Sequence, residues 1–455
     1  MPRRNAMHAN ALSQPIRTVR ASLRSVKFLN LKNLVLMYGW QISNYVLSFL
    51  LLPYLARTLN TSGFGVYAYC VGVNAYLWIM IEWGFPVGGM REAATNRDDP
   101  VALEKTFWKI IYAKLLLIIP ATALLAVLAI NSAEGIRQVV FISGFMTIVG
   151  ASVACDWFAQ GIERLDRFVS ISIAARVLVT VLTFFLIRDA EDAHLAAMLH
   201  GVFGLLGGVA GFGVILATFR YLPKRERVAE VYASVTANFS LFLAKSNSTL
   251  YVAAPPIVLG LLATTAEVGI YAGADKLARI CAMIIGPASL VVMPRIFASM
   301  TESNEAAARI SGQFLLVQLA LTIPMTLGLF IFAPLIIQIV LGPGFEDSVL
   351  ILRVLSPVPI LIALSGALNN QFLVPLKLDR KLAALSLICA AIYVLMLTGF
   401  VTRFAAIGAG FALLAVEVLM ICGALLIVLR ADRAYLRDAW AGMRSFNPMK
   451  IIRTS

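Results

Sequence analysis

The sequence predicts an all-α membrane protein in which twelve transmembrane helices form two six-helix lobes. Of its 455 residues, 60% are hydrophobic and only 14% are charged, which is more apolar surface than a water-soluble domain can bury. The apolar residues fall into twelve long stretches, and one short sequence pattern recurs six stretches further along the chain. These three observations predict the class of protein, the number of helices and the division into halves.

The twelve apolar stretches set the number of helices. As helices that rise about 1.5 Å per residue, all of them are long enough to cross a hydrocarbon core of about 30 Å. The predicted spans are residues 34–56, 66–90, 107–130, 137–159, 168–187, 194–219, 238–262, 268–293, 309–333, 348–375, 381–402 and 405–429.

Basic segments at both ends and in the middle divide the chain. In the first segment, apolar and basic residues alternate at helical spacing, which is typical of a short helix on a membrane surface. We expect no cleavable signal peptide there, because the first apolar run begins late. The expected regions are a basic N-terminal arm (1–33), an N-lobe (34–219), a linker (220–237), a C-lobe (238–429) and a basic tail (430–455).

The distribution of Lys and Arg predicts the orientation. With the N-terminus placed in the cytoplasm, and a base at the first position of a span counted with the preceding segment, the cytoplasmic segments carry 27 of these residues and the opposite loops carry 4. Because basic loops stay on the cytoplasmic side, both termini are expected there. The net charge of +14 is then explained by contact with anionic membrane lipids, and we expect no nucleic-acid partner.

A short internal repeat predicts two halves of the same orientation. The segment Gly65-Val66-Tyr67-Ala68 matches Gly269-Ile270-Tyr271-Ala272, 204 residues later. Both copies follow a short turn on the predicted outer side, and six spans separate them. An even number of spans gives a parallel repeat, with an axis along the membrane normal.

The sequence lacks the residue patterns that several kinds of site require. The five cysteines lie inside apolar stretches without metal-ligand spacing, and His8, His194 and His200 form no ligand set. The sequence contains no GxxxxGK[ST] phosphate loop, so we expect no ATP hydrolysis by this chain and no cofactor or metal. No outer loop is long enough for a catalytic domain. The composition therefore favours a transporter driven by an ion gradient, a substrate gradient or a partner.

Ionisable residues inside the predicted spans are the candidate functional residues, because a charge at that depth is costly unless it meets water, a partner or a substrate. The bases outnumber the acids, so the membrane interior has an excess of positive charge. Apart from those at the first position of a span, the bases are Lys109, Lys114, Arg176, Lys245, Lys276, Arg279 and Arg353, and the acids are Glu82, Asp156, Asp275 and Glu417.

Five of the bases are candidate substrate-binding residues: Lys245, Arg279, Lys276, Arg176 and Lys114. Lys245 lies roughly 14 Å into its span. It is interpreted either as a cation that faces a cavity or as the ion-pair partner of an acid on a neighbouring helix. Arg279 follows Asp275 by four residues, so an intrahelical ion pair is the alternative to a role in binding. Lys276 is not explained by that pair, and Arg176 has no acid within one turn.

Three acids are candidates for ion coupling: Glu82, Asp275 and Glu417. Glu417 has no partner within its own helix, so it suits uptake of a proton, or it neutralises Lys245 or Arg279 across the lobe. The sequence does not distinguish H⁺ from Na⁺ as the coupling ion.

Longer motifs carry a family resemblance. They are LPYLARTLNTSGFGVYAY (52–69), Trp83-Gly84-Phe85, Arg91-Glu92, DWFAQGIERLDRF (156–168), FLAKSNSTLY (242–251), LGLLATTAEVGIYAGADKL (259–277) and MPRIFASM (293–300). In this order they resemble the polysaccharide transporters of the multidrug/oligosaccharidyl-lipid/polysaccharide (MOP) exporter superfamily, specifically the O-antigen-type flippases. The resemblance covers residues 34–380.

The resemblance implies a V-shaped two-lobed bundle whose central cavity opens alternately to each side. It also implies a lipid-linked oligosaccharide substrate, joined to undecaprenyl pyrophosphate and moved from the cytoplasmic to the outer leaflet, with a polysaccharide polymerase and assembly proteins as possible partners. The lysine of the family's FLAKSNSTLY-like segment matches Lys245, and the acid before WGF matches Glu82.

Two other functions are consistent with such a bundle. A multidrug antiporter of the same fold would want an acidic cavity, and the excess of seven bases over four acids argues against it. A membrane scaffold without transport activity would have its interior charges paired off. The predicted function is a flippase for lipid-linked oligosaccharides.

Overall fold

In the computed structural model, residues 31–164, 166–283 and 285–445 are described, and within these ranges all regular secondary structure is helical. The predicted N-terminal arm lies almost entirely outside the described residues, as does the end of the basic tail from residue 446.

In its described part, the first half of the chain contains seven α-helices and the linker helix. They are α1 (Leu31–Glu82), α2 (Phe85–Thr95), α3 (Pro100–Asn131), α4 (Arg137–Val153), α5 (Asp156–Gly161), α6 (Asp166–Leu186), α7 (Ala193–Phe219) and α8 (Val228–Ala237). Short 3₁₀ turns, Glu134–Ile136 and Ala190–Asp192, precede α4 and α7.

The residues of the second half that the structure describes form nine α-helices. They are α9 (Phe239–Leu262), α10 (Thr265–Met283), α11 (Ile285–Met300), α12 (Asn304–Ile331), α13 (Ala333–Val340), α14 (Ser348–Leu355), α15 (Val358–Ala367), α16 (Asp379–Ala431) and α17 (Arg433–Arg444). A π-helical turn, Leu368–Leu373, follows α15.

Helices α1 and α16 each contain a sharp break, so each covers two predicted spans. Asn60 has φ 54° and Ala405 has φ 46°, in the left-handed region that ends a right-handed helix. The Asn60 side chain accepts a hydrogen bond from the backbone N–H of Gly63 at 3.0 Å. At the second break, a carboxylate oxygen of Glu267 accepts from the N–H of Ala406 at 3.0 Å, which satisfies a donor at the start of the new helix.

Within the described ranges, eight helical segments are long and apolar enough to cross a membrane. Two of them, Val46–Thr95 and Asp379–Ala431, include the breaks just described and are 50 and 53 residues long. The predicted seventh span coincides with α9, and the predicted eighth covers most of α10 and the beginning of α11. These helices are not among the eight. Helices α9 and α10 carry four of the candidate residues, Lys245, Asp275, Lys276 and Arg279.

The half of α1 after Asn60 joins the two halves of the chain. It crosses α10 at Gly65 and Gly269, whose backbone nitrogens lie within 3.0 Å of the position where the other residue's Cβ would be. Further along, the hydroxyls of Tyr76 and Ser246 are 3.1 Å apart, between α1 and α9. At the end of α1, the Trp83 ring stacks on a ring of α9. The half of α1 after Asn60 therefore contacts the second half of the chain near its beginning, middle and end.

Within each half, small residues allow close helix packing. A Cβ on Gly208 of α7 would overlap the carbonyl oxygen of Gly150 in α4, and one on Gly201 would lie 2.7 Å from the carbonyl oxygen of Ser143. In the second half, a Cβ on Gly312 of α12 would overlap the backbone of Ala439 in α17. Such contacts bring backbones together where apolar side chains alone gain little from leaving lipid.

Candidate functional site

A fully buried ion pair joins α1 and α3. The Nζ of Lys114, 0% exposed, donates to Glu82 Oε1 at 2.9 Å and to the carbonyl oxygens of Ala151 and Ala154 at 3.3 and 2.8 Å. Those carbonyls end α4, where its backbone acceptors lack helical partners. The structure thus places Lys114 and Glu82 against each other, in the packed interior of the first half of the chain.

A second ion pair lies within α10. Arg279 Nε donates to both carboxylate oxygens of Asp275, at 2.9 and 2.8 Å, and its Nη2 donates to the Tyr251 carbonyl oxygen at 2.7 Å. The Tyr271 hydroxyl also lies 3.4 Å from Asp275 Oδ1. This is the intrahelical alternative left open by the spacing of four residues. Both side chains are mostly buried, so the pair also fixes α10 against α9.

Glu417 lies in the same half without a basic partner at ion-pair distance among the described residues. Its Oε2 accepts a hydrogen bond from the Ser365 hydroxyl at 2.9 Å, and it interacts electrostatically with Arg279. Nearby, the rings of Tyr251 and Tyr393 have centroids 5.1 Å apart, and both hydroxyls are buried without a hydrogen-bond partner within the described ranges. A carboxylate beside two unsatisfied phenols can take up a proton or a small cation.

Arg176 of α6 is held by neutral groups. Its Nη2 donates to the Ser48 hydroxyl at 2.7 Å, and its guanidinium lies over the Phe203 ring at 4.7 Å from the centroid. The Nε atom is buried without a partner, and no carboxylate pairs with Arg176 in the described part of the chain. These two contacts fix the orientation of the Arg176 guanidinium, but they do not neutralise its positive charge.

Lys276 of α10 brings a second positive charge to the same place. It is half-buried, interacts electrostatically with Arg176, and makes no hydrogen bond or ion pair with any residue that the structure describes. The two residues come from opposite halves of the chain, 100 positions apart in sequence. We call Arg176 and Lys276 the inter-half cation pair.

Lys245 lies elsewhere. Its side chain is exposed on α9, has no ion-pair partner in the described ranges, and interacts electrostatically with Glu82. The structure therefore divides the candidates into three places: Glu82 and Lys114 with Lys245 nearby, Asp275 and Arg279 with Glu417, and Arg176 with Lys276.

Three neutral residues beside the inter-half cation pair were missed from the sequence. His200 of α7 interacts electrostatically with Arg176 and Lys276, its Nδ1 lies 3.4 Å from Asn74 Nδ2, and its ring meets the Tyr67 ring edge-on at 6.3 Å. His200 was set aside because it has no ligand set. Tyr67 belongs to the repeat, and Asn74 and His200 are polar residues in apolar spans, which is the signal that could have identified them.

Two apolar grooves lie away from these charges. One of about 590 Å³ is lined by residues of α16, among them Phe400, Phe404 and Phe411, and another of about 650 Å³ is lined by one face of α6 from Ser170 to Val181. Their linings contain no charged residue, as expected for surfaces that face acyl chains. Among the described residues no cluster of His, Cys, Asp and Glu could hold a metal, and the five cysteines are free.

The fold is similar to that of known transporters. It matches the lipid II flippase MurJ in an inward closed conformation, with a TM-score of 0.65 and 13% identity over 90% of this chain and 91% of that one. It also matches an inward-facing multidrug resistance MATE family transporter of the MOP superfamily, with a TM-score of 0.57 and 14% identity over 88% and 99% of the chains. The molecule is a multi-pass helical membrane protein with a MOP-type fold.

The family follows from the sequence comparisons. Residues 30–300 match the family described as polysaccharide biosynthesis protein, and the chain belongs to it. The chain is 25% identical over 396 residues to a candidate O-antigen transporter of Escherichia coli (strain K12), covering 86% of this chain and 94% of the relative. It is 22% identical over 391 residues to a similarly named protein of Shigella dysenteriae, covering 86% and 98%. These relatives are named as transporters, so the expected class of membrane transporter in polysaccharide biosynthesis is confirmed.

Proposed function

We propose that the chain is a flippase that moves polyprenyl-pyrophosphate-linked oligosaccharide from the cytoplasmic to the outer leaflet by alternating access. The glycan and pyrophosphate would pass between the halves of the chain, while the polyprenyl tail remains in lipid. The relatives named as O-antigen transporters support a substrate of this class. The proposal includes a cationic cavity between an N-lobe (34–219) and a C-lobe (238–429), with twelve spans in total.

The single observation that carries the proposal is the inter-half cation pair. Arg176 and Lys276 are near enough to interact, repel each other, and have no carboxylate partner in the part of the chain that the structure describes. One unpaired charge near the middle of a bilayer costs about 2.5 kcal/mol or more, and a like charge beside it adds to that cost. A pyrophosphate between the two would neutralise both and would bind the two halves at once.

Contacts at both ends of the junction support alternating access. On the predicted outer side, Arg57 donates a hydrogen bond to the Ile339 carbonyl, and the rings of Phe64 and Phe345 meet edge-on at 6.0 Å. On the predicted cytoplasmic side, Trp83 stacks on Phe242 with centroids 3.9 Å apart. In the proposed cycle, the inner contact breaks for substrate entry and the outer contact breaks for release.

Ion coupling is proposed for Glu82, Asp275 and Glu417, with H⁺ or Na⁺ as the ion. Glu82 and Asp275 are in ion pairs with Lys114 and Arg279, whereas Glu417 is hydrogen-bonded only to Ser365 among the residues described. Glu417 is therefore the acid whose charge can change with the least disruption of existing contacts. Protonation or cation binding there would act on α10 through Arg279.

We also place the protein in the inner membrane of a bacterium with both termini in the cytoplasm. The 27 to 4 distribution of Lys and Arg supports this orientation. Membrane lipids surround it, and a polysaccharide polymerase and assembly proteins are the proposed partners on the outer side.

The test is complementation of a strain that depends on this chain for surface polysaccharide. Arg176→Gln and Lys276→Gln are expected to lower polysaccharide export at least tenfold at equal protein level, and Arg176→Glu to abolish it. Arg403→Gln, at an exposed arginine of the predicted outer side, is the matched control and should retain wild-type export. Wild-type export by Arg176→Glu and Lys276→Glu would overturn the proposal. The reversals Lys245→Glu and Arg279→Glu test the remaining candidate cations in the same assay.

A further inference from the structure

The neutral residues beside the inter-half cation pair have unused hydrogen-bonding capacity. Asn74 is 1% exposed, and its Oδ1 is buried without a hydrogen-bond partner among the described residues. His200 and Tyr67 are half-buried, and in the described ranges neither His200 Nε2 nor the Tyr67 hydroxyl has a partner. Arg176 Nε is a fourth such atom in the same place.

A phosphate group cannot satisfy the hydrogen-bonding capacity of all of these atoms. A diphosphate at neutral pH offers acceptor oxygens, which suit Arg176, Lys276 and other donors. The Asn74 carbonyl oxygen is an acceptor, so a phosphate oxygen cannot satisfy it. A ligand atom that bonds to it must carry a hydrogen, as a hydroxyl or an amide N–H does.

The position of these groups narrows the range of suitable ligands further. His200 interacts with both Arg176 and Lys276, and Asn74 contacts His200, so Asn74 lies one side chain away from the cations. The aromatic edges of Tyr67 and His200 flank the same place. In a glycan joined to a lipid by pyrophosphate, the part of the ligand next to the phosphates that bears hydroxyls is the first sugar ring.

We propose that Asn74, His200 and Tyr67 form a subsite for the hydroxyl- or amide-bearing sugar that is joined directly to the pyrophosphate held by Arg176 and Lys276. This inference rests on the proposed function and adds a specificity element to it. The cations would bind the part that all such lipids share, and the neutral subsite would distinguish a glycosylated lipid from the bare carrier lipid. Only the glycosylated lipid can pair the buried Asn74 oxygen, which favours it over the bare carrier.

The experiment measures binding of two probes to the purified full chain in nanodiscs. The probes are undecaprenyl pyrophosphate and undecaprenyl-pyrophosphoryl-N-acetylglucosamine, and the readout is the dissociation constant of each. We expect the glycosylated lipid to bind about tenfold more tightly to the wild-type protein, the value of one or two good hydrogen bonds. Asn74→Leu and His200→Phe should reduce that ratio to below about threefold while binding of the bare lipid changes little.

Matched variants keep the outcomes separate. Asn369→Leu removes another buried amide oxygen without a described partner, in the π-helical turn, and should leave the ratio unchanged. His200→Phe keeps a ring of similar size beside Tyr67, so it tests the subsite even if Asn74→Leu folds poorly. Arg176→Gln should weaken binding of both lipids equally.

Two results would overturn the subsite. One is a wild-type protein that binds both lipids equally well, which leaves the flippase proposal standing. The other is an unchanged ratio in both Asn74→Leu and His200→Phe. A wild-type protein that binds neither lipid would overturn the proposed function together with the subsite.

Discussion

Gly65 and Gly269 meet where α1 crosses α10, and the surroundings of the two glycines are equivalent. A Cβ on Gly65 would overlap the Thr265 carbonyl oxygen, and a Cβ on Gly269 would overlap the Thr61 carbonyl oxygen. Both pairs, 65 with 269 and 61 with 265, are 204 residues apart, the offset of the sequence repeat. The two copies of the repeat are therefore in contact about a local two-fold axis, and glycine is required because backbone meets backbone there.

The first prediction concerns this crossing. Gly65→Val and Gly269→Val put carbon atoms where the opposing carbonyls lie, so the crossing must open or the protein must fail to fold. We expect at least tenfold lower export, with greater labelling of a cysteine introduced at Thr61 by an impermeant thiol reagent in a cysteine-free background. Gly328→Val is the control, because a Cβ at Gly328 has nothing within 4 Å. Normal export by both crossing variants would contradict the close contact.

The second prediction concerns the buried pair of Glu82 and Lys114. Glu82→Gln leaves the fully buried Lys114 charge without its carboxylate, which costs about 3–5 kcal/mol where a buried pair is broken. We expect a lower melting temperature in detergent for the single variant and recovery in Glu82→Gln/Lys114→Met, where no unpaired charge remains.

The same double variant separates structure from coupling. A stable double variant that exports polysaccharide at the wild-type rate would show that Glu82 acts through packing alone. A stable but inactive one supports its proposed part in ion coupling. Lys109→Met is the control for loss of a lysine from α3, because Lys109 pairs with Glu92 at a more exposed site.

The third prediction concerns the contact at the end of α1. Trp83 and Gly84 have φ values of 46° and 83°, and Trp83 Nε1 donates to the Val235 carbonyl oxygen at 2.9 Å. Trp83→Ala removes that bond and the stacking on Phe242. We expect the predicted cytoplasmic end to open more often, seen as several-fold faster labelling of a cysteine at the buried Ser246 in inside-out vesicles. Trp440→Ala, at an exposed tryptophan, should not change the rate.

The fourth prediction concerns the linker and pH. Lys105 pairs with Glu230 at 2.7 Å, and this hydrogen bond lowers the pKa of Glu230 below its ordinary value of 4.5. A lowered pKa in the folded state means that the contact is fully present above pH 4.5 and is lost as the pH falls through the lower folded value. We expect lower protection factors against hydrogen exchange in α8 below that pH, after correction for the pH dependence of the intrinsic exchange rate, and also at high salt, because the pair is exposed.

Glu230→Gln is the matched variant for the linker. At neutral pH its α8 should have the protection factors that the wild-type protein has in acid, with the second pair in this region, Lys224 with Glu104, left in place. Wild-type protection factors that do not change between pH 7 and pH 3 would contradict the role of Glu230.

Much of the fold was predictable because the relevant signals are local. A helix is the way to satisfy backbone groups within one segment in lipid, so apolar stretches became helices at the predicted positions. The Asp275–Arg279 pair was predictable as one of two alternatives, because four residues make one helical turn. The repeat around Gly65 and Gly269 could be recognised in the sequence, although the contact between the two glycines could not.

The sequence by itself determined the membrane class, the helical segments, the family and the set of ionisable residues that need an explanation. Only the tertiary structure decided which of them meet: Lys114 with Glu82 across 32 positions, Arg176 with Lys276 across 100, and His200 beside both cations. The physical reason is the range of each signal. Hydropathy and helical spacing are signals within one segment of the chain. The partner of a buried charge depends on how helices distant in sequence pack against each other, and the sequence pattern within a segment does not specify that packing.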